Sequence, residues 1–150
     1  MVKVLFVCHG NICRSPMAEF VLKDMVEKRG IAKEFYIESA ATSTEELGNP
    51  VHHGTRTKLA SLGISTAGKR ARQLNRKDYD KFDYLIGMEQ INVRNMLRIL
   101  GKDPEKKVWR FLDFGDEPRD IADPWYTGNF DATYRDVLEG CEAFLKKLGY

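Results

Sequence analysis

The first thirty residues change hydrophobic period once, and that change limits the folds open to this chain. Val2, Val4, Leu5, Phe6 and Val7 make a short, nearly unbroken apolar run, the pattern of a strand covered on both faces. After Cys8-His9-Gly10-Asn11-Ile12-Cys13-Arg14-Ser15 comes Pro16, whose missing N–H costs nothing in the first turn of a helix. The pairs Met17/Ala18, Val21/Leu22 and Met25/Val26 then recur at four-residue intervals up to Gly30, a helical stripe. A buried strand, a tight loop and an amphipathic helix in succession begin a βα unit.

The rest of the chain repeats the alternation. Strands are expected over 2–7, 35–41 and 82–87, with a weaker one near 107–112, and helices over 16–29, 50–62, 89–100 and 130–148. Asn49-Pro50 and Gly63 bracket the second helix, and Gly101 closes the third. Alternating strands and helices predict an α/β fold, a parallel sheet covered on both faces and joined by right-handed crossovers. No linker, repeat or low-complexity tract divides the 150 residues, so one domain, 1–150, with four strands is expected.

The loop after the first strand concentrates the chemistry. Cys8 falls at the strand's carboxyl end and Arg14 at the entry to the helix, where backbone N–H groups and the helix dipole favour a bound anion. The N–H dipoles and the guanidinium both favour a thiolate over a thiol. Arg14 can grip two oxygens of a phosphate with a planar fork that lysine lacks. A thiolate facing a phosphorus atom already held in place suits covalent phosphoryl transfer. Gly10 is expected to give the loop its sharp turn, and Asn11 belongs to the residue types that tolerate a left-handed conformation. Ser15 is placed to donate its hydroxyl to the Cys8 sulfur. The Gly-Lys-Ser/Thr ending of a nucleotide-binding P-loop is missing, and a single glycine excludes the dinucleotide fingerprint.

A thiolate expels a phenoxide or alkoxide slowly unless an acid supplies a proton, a contribution of about 10²–10⁴-fold. Among the acids, Asp123 stands in Ile121-Ala122-Asp123-Pro124-Trp125-Tyr126, where Pro124 keeps it out of a helix and two aromatic residues could wall a cleft. On the residues alone, Asp116 and Asp120 compete with it. His52 and His53 are adjacent rather than four apart, which puts them on different helix faces and makes a surface role, not a metal, the expectation.

A net charge of +2 gives no case for nucleic acid or a membrane as partner. Residues 1–75 carry 11 Lys/Arg against 7 Asp/Glu, and residues 76–150 carry 13 against 15, so the slight basic surplus lies with the loop. Three cysteines, an odd number, argue against a secreted disulfide scaffold. Cys141 falls in the apolar set Tyr134, Val137, Leu138, Leu145 and Leu148 and reads as an inert core thiol. With neither a signal peptide nor a transmembrane run in view, a cytoplasmic enzyme is expected.

The stretch Val7 to Pro16 resembles the active-site loop of the low-molecular-weight protein-tyrosine phosphatases. The resemblance continues through Ser39-Ala40-Ala41-Thr42-Ser43, Gly48-Asn49-Pro50, Ala71-Arg72-Gln73-Leu74, Phe82-Asp83-Tyr84-Leu85-Ile86 and Asp123-Pro124-Trp125-Tyr126, in order along essentially the whole chain. It implies a Rossmann-like or flavodoxin-like sheet of strand order 2-1-3-4 and a two-step hydrolysis of phosphotyrosine proteins or peptides, without a cofactor. Cys8 would attack phosphorus while Asp123 protonates the leaving oxygen, after which Asp123 would activate water against the cysteinyl phosphate. The backbone of His9, Gly10, Asn11, Ile12, Cys13 and Arg14, with the Arg14 side chain, would hold the phosphate oxygens. Inorganic phosphate would be both product and inhibitor. Asn11, Ser15 and Ser39 would support the loop, and Glu45, Trp125 and Tyr126 would rim the cleft. Cys13 reads either as a silent small hydrophobe or as a thiol that traps an oxidised Cys8 as a disulfide, the role that the resemblance favours.

Two residues depart from the family pattern. Glu45 stands where many eukaryotic members carry an aromatic ring, so the cleft loses a stacking surface and gains a charge that repels acidic peptides. Lys69 stands where a histidine often braces the loop through Asn11; with Asn11 and Ser39 both present, the brace is expected to be altered rather than absent. Neighbouring activities separate on single features. Arginine phosphatases carry Thr where this chain has Ile12, which favours phosphotyrosine here while leaving phosphoarginine as the serious alternative. Thioredoxin-linked arsenate reductases need mid-chain cysteines, and none lies between residues 14 and 140. A non-catalytic phosphate-binding module would need neither Cys8 nor Asp123. A thiol redox protein usually spaces its cysteines two residues apart.

Overall fold

A computed structural model describes all 150 residues. Four strands, β1 (Val2–Cys8), β2 (Phe35–Ala41), β3 (Tyr84–Gly87) and β4 (Val108–Arg110), form one sheet of order β2-β1-β3-β4. Every pairing is parallel, with Val4 of β1 opposite Ile37 of β2 and Tyr84 of β3. The expected α/β class and the order 2-1-3-4 are both found. β1 is central because Val4, Leu5, Phe6 and Val7 have no exposed surface at all.

The period-2 geometry of β1 divides its side chains between two cores. Val4, Phe6 and Cys8 face α1 (Arg14–Lys28) and α6 (Phe130–Lys147), among Met17, Leu22, Val137, Cys141 and Phe144. Leu5 and Val7 face the other way, among Leu74, Phe82, Leu85, Met96 and Leu100, beneath α3 (Lys77–Lys81) and α4 (Gln90–Leu100). The inert placement expected for Cys141 holds, since it is fully buried and its thiol is pushed far up by desolvation.

Several boundaries differ from expectation. α1 begins at Arg14, two residues earlier than the expected start at 16, so the guanidinium belongs to its first turn. α2 runs His53–Ala60 rather than from 50, because the His52 ring accepts the Gly54 N–H at 3.0 Å and caps the helix there. Pro50 instead pairs with Arg70 in an isolated antiparallel bridge. β4 stops at Arg110, and the expected strand over 107–112 turns into a 3₁₀ segment, Phe111–Phe114, that drives Phe111 and Leu112 into the core. Two short helices had no signal in the hydrophobic pattern, α3 and α5 (Pro124–Thr127).

Candidate active site

Cys8 is the last residue of β1, at the carboxyl end of the sheet, where ligands of open α/β folds bind. Its Sγ lies 3.0 Å from Ser15 Oγ, with the Asn11 N–H at 3.3 Å and the Ser15 N–H at 3.5 Å. The left-handed turn of the loop sits at Asn11, with φ 59°; Gly10 has no positive φ, and an added Cβ there would make only ordinary contact with Glu46. The expectation that Gly10 supplies the sharp turn is thus corrected to Asn11, whose short amide side chain stabilises that conformation. The backbone N–H groups of Gly10, Ile12, Cys13 and Arg14 meet no acceptor within the protein.

Asn11 is fully buried and holds the loop together. Its Oδ1 accepts the Arg72 backbone N–H at 3.2 Å, which fixes the amide orientation and turns Nδ2 toward two hydroxyls. Nδ2 donates to Ser15 Oγ at 2.8 Å and to Ser39 Oγ at 2.9 Å. Ser15 accepts from Asn11, and its own proton has two acceptors in reach, the Cys8 sulfur at 3.0 Å and the Ala40 carbonyl at 3.4 Å. Ser39 passes its proton to Glu19 Oε1 at 2.5 Å. Lys69 does not reach Asn11; its Nζ donates to the Ser39 carbonyl at 2.8 Å and stands 3.7 Å from Glu19. Burial pulls the Lys69 ammonium below its ordinary value, and Glu19 offsets part of that. The brace therefore runs through a buried Lys–Glu pair, with Glu19 unmarked by any local motif.

Arg14 is the largest fully buried side chain and is anchored on three sides. Nη1 donates to the Ile121 carbonyl at 2.9 Å and pairs with Glu89 at 3.0 Å, while Nη2 lies 3.3 Å from Asp123 Oδ2. Burial works against its charge, and Cys8, Asp123 and Glu89 outweigh that and hold its pKa above the ordinary value. Asp123 is extended at φ −77°, ψ 114°, as the following Pro124 requires, and its Oδ1 caps α5 by accepting the Trp125 N–H at 3.0 Å. The competing acids lie elsewhere. Asp120 is paired with Arg110 and accepts the Gln90 N–H, and Asp116 lines a separate hollow beside Glu117 and Glu139.

These parts enclose a hollow of about 140 Å³ lined by Cys8, His9, Gly10, Ile12, Cys13 and Arg14 at its base and by Glu45, Glu46, Asp123, Trp125 and Tyr126 at its mouth. Glu46, which the sequence did not single out, lies at the mouth beside Glu45, Trp125 and Tyr126. His9 turns outward, its Nε2 2.5 Å from Glu45 Oε2. Cys13 is a buried thiol pushed up to about 12, chiefly by desolvation. The sequence reading missed Glu89, although Glu89 and Asn92 form a capping box whose three-residue spacing marks a helix start. It also misplaced the two histidines. Their rings stack on each other at 4.3 Å instead of diverging, and His52 touches both Trp125 and Phe130.

The family model for low molecular weight phosphotyrosine protein phosphatases matches residues 3–150. The low molecular weight protein-tyrosine-phosphatase YfkJ of Bacillus subtilis is 39% identical over 150 residues, covering 99% of this chain and 96% of its own. The crystal structure of YfkJ superposes with a TM-score of 0.94 over 99% of this chain and 95% of that one. A low molecular weight protein tyrosine phosphatase from Streptococcus pyogenes, 42% identical, gives 0.88 over 99% and 93% of the two chains. A Drosophila arginine phosphatase, 32% identical, gives 0.89 over 99% of each. Sequence, sheet order and end-to-end coverage agree: the chain belongs to the low-molecular-weight protein-tyrosine phosphatases, a family of hydrolases.

Proposed function

We propose that this protein removes phosphate from phosphotyrosine side chains through a cysteinyl-phosphate intermediate on Cys8. The observation that carries the reading is the meeting, in one small hollow, of the Cys8 sulfur, the anchored Arg14 guanidinium and the Asp123 carboxyl. The phosphate enters as a dianion. Arg14 and the unpaired N–H groups of the loop take its non-bridging oxygens and leave phosphorus in line with Sγ. Sulfur bonds to phosphorus as the P–O bond to tyrosine breaks, and Asp123 gives its proton to the departing phenolate oxygen. Water, deprotonated by Asp123, then displaces the sulfur and releases inorganic phosphate, which competes with substrate for the same cradle. No step draws on a metal. The aromatic faces of Trp125 and Tyr126 flank the phenol. Three free thiols suit a reducing compartment, and we place the enzyme in the cytoplasm. No helix is long and apolar enough to cross a membrane.

A second reading rests on the mouth of the hollow. Glu45 and Glu46 would attract a guanidinium, and a structural neighbour is named an arginine phosphatase. Ile12 supplies no hydroxyl for that group, and we favour phosphotyrosine.

The test uses nitrophenyl phosphate, a phosphotyrosine peptide and a phosphoarginine peptide. Cys8→Ser is expected to show no turnover on any of them. Asp123→Ala should lose about 10²-fold or more in kcat/KM on phosphotyrosine and much less on nitrophenyl phosphate, whose leaving group hardly needs the proton. Equal losses on those two substrates would remove Asp123 from its role. Faster hydrolysis of phosphoarginine than of phosphotyrosine would transfer the enzyme to the second class.

A further inference from the structure

The hollow has two sides that the chain must bring into register. The nucleophile loop follows β1, and the acid segment stands more than a hundred residues later, so no local structure fixes the gap between them. Ile121 is fully buried and its N–H bonds to the Met88 carbonyl at 3.0 Å, which anchors the acid segment before Asp123. Arg14 holds the Ile121 carbonyl and the Asp123 carboxyl, and Pro124 is buried, but beyond Pro124 the anchoring thins out. α5 has four residues, and Trp125 and Tyr126 are 56% and 84% exposed.

The first turn of α2 touches both sides. Toward the loop, the His52 N–H donates to the Ile12 carbonyl at 2.8 Å, and the buried Thr55 hydroxyl donates to the Cys13 carbonyl at 3.0 Å. Toward the acid segment, the His52 ring meets Trp125 edge to face, with centroids 5.5 Å apart and planes at 71°. It also lies flat on Phe130, the first residue of α6, at 5.4 Å and 10°. His52 is the ring that packs against the Trp125 indole. The cap bond from Gly54 to Nδ1 pins the plane of the ring. Gly54 is itself part of the arrangement, because a Cβ there would fall 2.3 Å from the Phe130 ring.

We propose that the first turn of α2 clamps the nucleophile loop to the acid segment, and that His52 is its positioning residue, setting where Asp123 stands relative to Cys8. The inference rests on Asp123 being the proton donor, and it adds a residue that touches neither substrate nor phosphate. The backbone of His52 is fixed by the loop, and its ring bears on the indole of Trp125, the residue whose backbone N–H donates to the Asp123 carboxyl. A shift of the ring moves Asp123 against a nucleophile that stays in place. Displacements of about 1 Å in such geometry cost about 10²-fold in rate.

Two substitutions separate the ring from the cap. His52→Asn keeps a side-chain acceptor for the Gly54 N–H, since Asn is among the best N-caps, but removes the ring. His52→Phe keeps a ring of similar size and removes the acceptor. For His52→Asn we expect kcat/KM to fall about tenfold on a phosphotyrosine peptide and no more than about twofold on nitrophenyl phosphate, with a thermal midpoint near that of the wild type. His52→Phe should stay within about twofold on both substrates in spite of a lower midpoint. Unchanged activity of His52→Asn, or an equal loss on both substrates, would overturn the proposal, as would a His52→Phe variant as impaired as His52→Asn. Asp123→Ala, measured alongside, tells the two readings apart. If its loss depends on the leaving group while that of His52→Asn does not, only the clamp fails; if its own loss does not, the role of Asp123 fails and the clamp with it.

Discussion

Cys13 shows how one side chain's surroundings set its chemistry. It lines the same hollow as Cys8, yet desolvation, with the neighbouring Cys8 and Asp123 charges, pushes its thiol up to about 12. It therefore stays protonated at neutral pH and does not compete as a nucleophile. Should peroxide convert Cys8 to a sulfenic acid, attack by the Cys13 sulfur would form a disulfide and release water, keeping Cys8 from irreversible oxidation. The attacking species is the thiolate, whose fraction rises about tenfold per pH unit below the pKa. Peroxide inactivation of the wild type is expected to be reversed by dithiothreitol, more completely at pH 8.5 than at pH 6.5. In Cys13→Ala the loss should be largely permanent at both. Activity assays after timed peroxide exposure check this, and full recovery of Cys13→Ala would rule the role out.

At the scale of elements, helix starts do double duty in this fold. α1 opens with Arg14, α5 is capped by Asp123, α2 is capped by His52 and α4 is capped by Glu89. Arg14 and Asp123 line the hollow, while His52 and Glu89 touch residues that do, Trp125 and Arg14, so the ends of helices, not their bodies, build the site. Glu89 illustrates the consequence. Its side chain takes part in the α4 capping box with Asn92 and also pairs with Arg14 Nη1 at 3.0 Å. Asn92→Ala removes half of the box and leaves the pair, so it should cost about 1 kcal/mol, a fall in Tm of about 3 °C, with kcat/KM unchanged. Glu89→Ala also strips a carboxylate from a buried guanidinium, which should cost about 3 kcal/mol and lower kcat/KM at least about tenfold. Thermal melts and nitrophenyl phosphate kinetics on both variants separate the two roles. If Glu89→Ala behaves like Asn92→Ala in both measurements, the cap is the whole of its function.

Across the whole molecule, what could be read in the sequence followed distance along the chain. The apolar run of β1, the stripe of α1 and the long periods of α4 and α6 are local patterns, so the parallel sheet and its helical layers followed from them, while the strand order came only from the family resemblance. Cys8, Arg14, Ser15 and Asn11 fall within eight residues of one another, and Asp123 carried its own signal in the following Pro124. The missed groups reach the site through tertiary contacts: Glu89 pairs with Arg14 at 3.0 Å, and Glu19 meets Asn11 only by way of Ser39. Elements of four or five residues such as α5 and α3 are too short to show a period. Arg72 also ties the loop to the sheet edge. Its backbone holds Asn11, and its guanidinium binds Asp78 through two contacts of 3.1 Å and reaches Glu38 of β2 at 3.5 Å. Glu38 further accepts from the Tyr36 hydroxyl and from Lys81 Nζ. Burial pushes the Glu38 carboxyl up, but those two hydrogen bonds and the Arg72 charge outweigh it and hold it below its ordinary 4.5. Between the folded value and 4.5 the unfolded chain binds more protons, so the contribution is complete above 4.5 and is lost as pH falls through the folded value. The group is partly solvated, so screening limits the effect to less than about 1 kcal/mol, or at most about 4 °C in Tm. Glu38→Gln should melt below the wild type at pH 7, with the gap closing as the pH falls below 4.5 and through the folded value. Melting curves for both proteins across that range decide the matter: a gap that stays constant throughout would mean that the carboxylate charge at the sheet edge contributes nothing to stability.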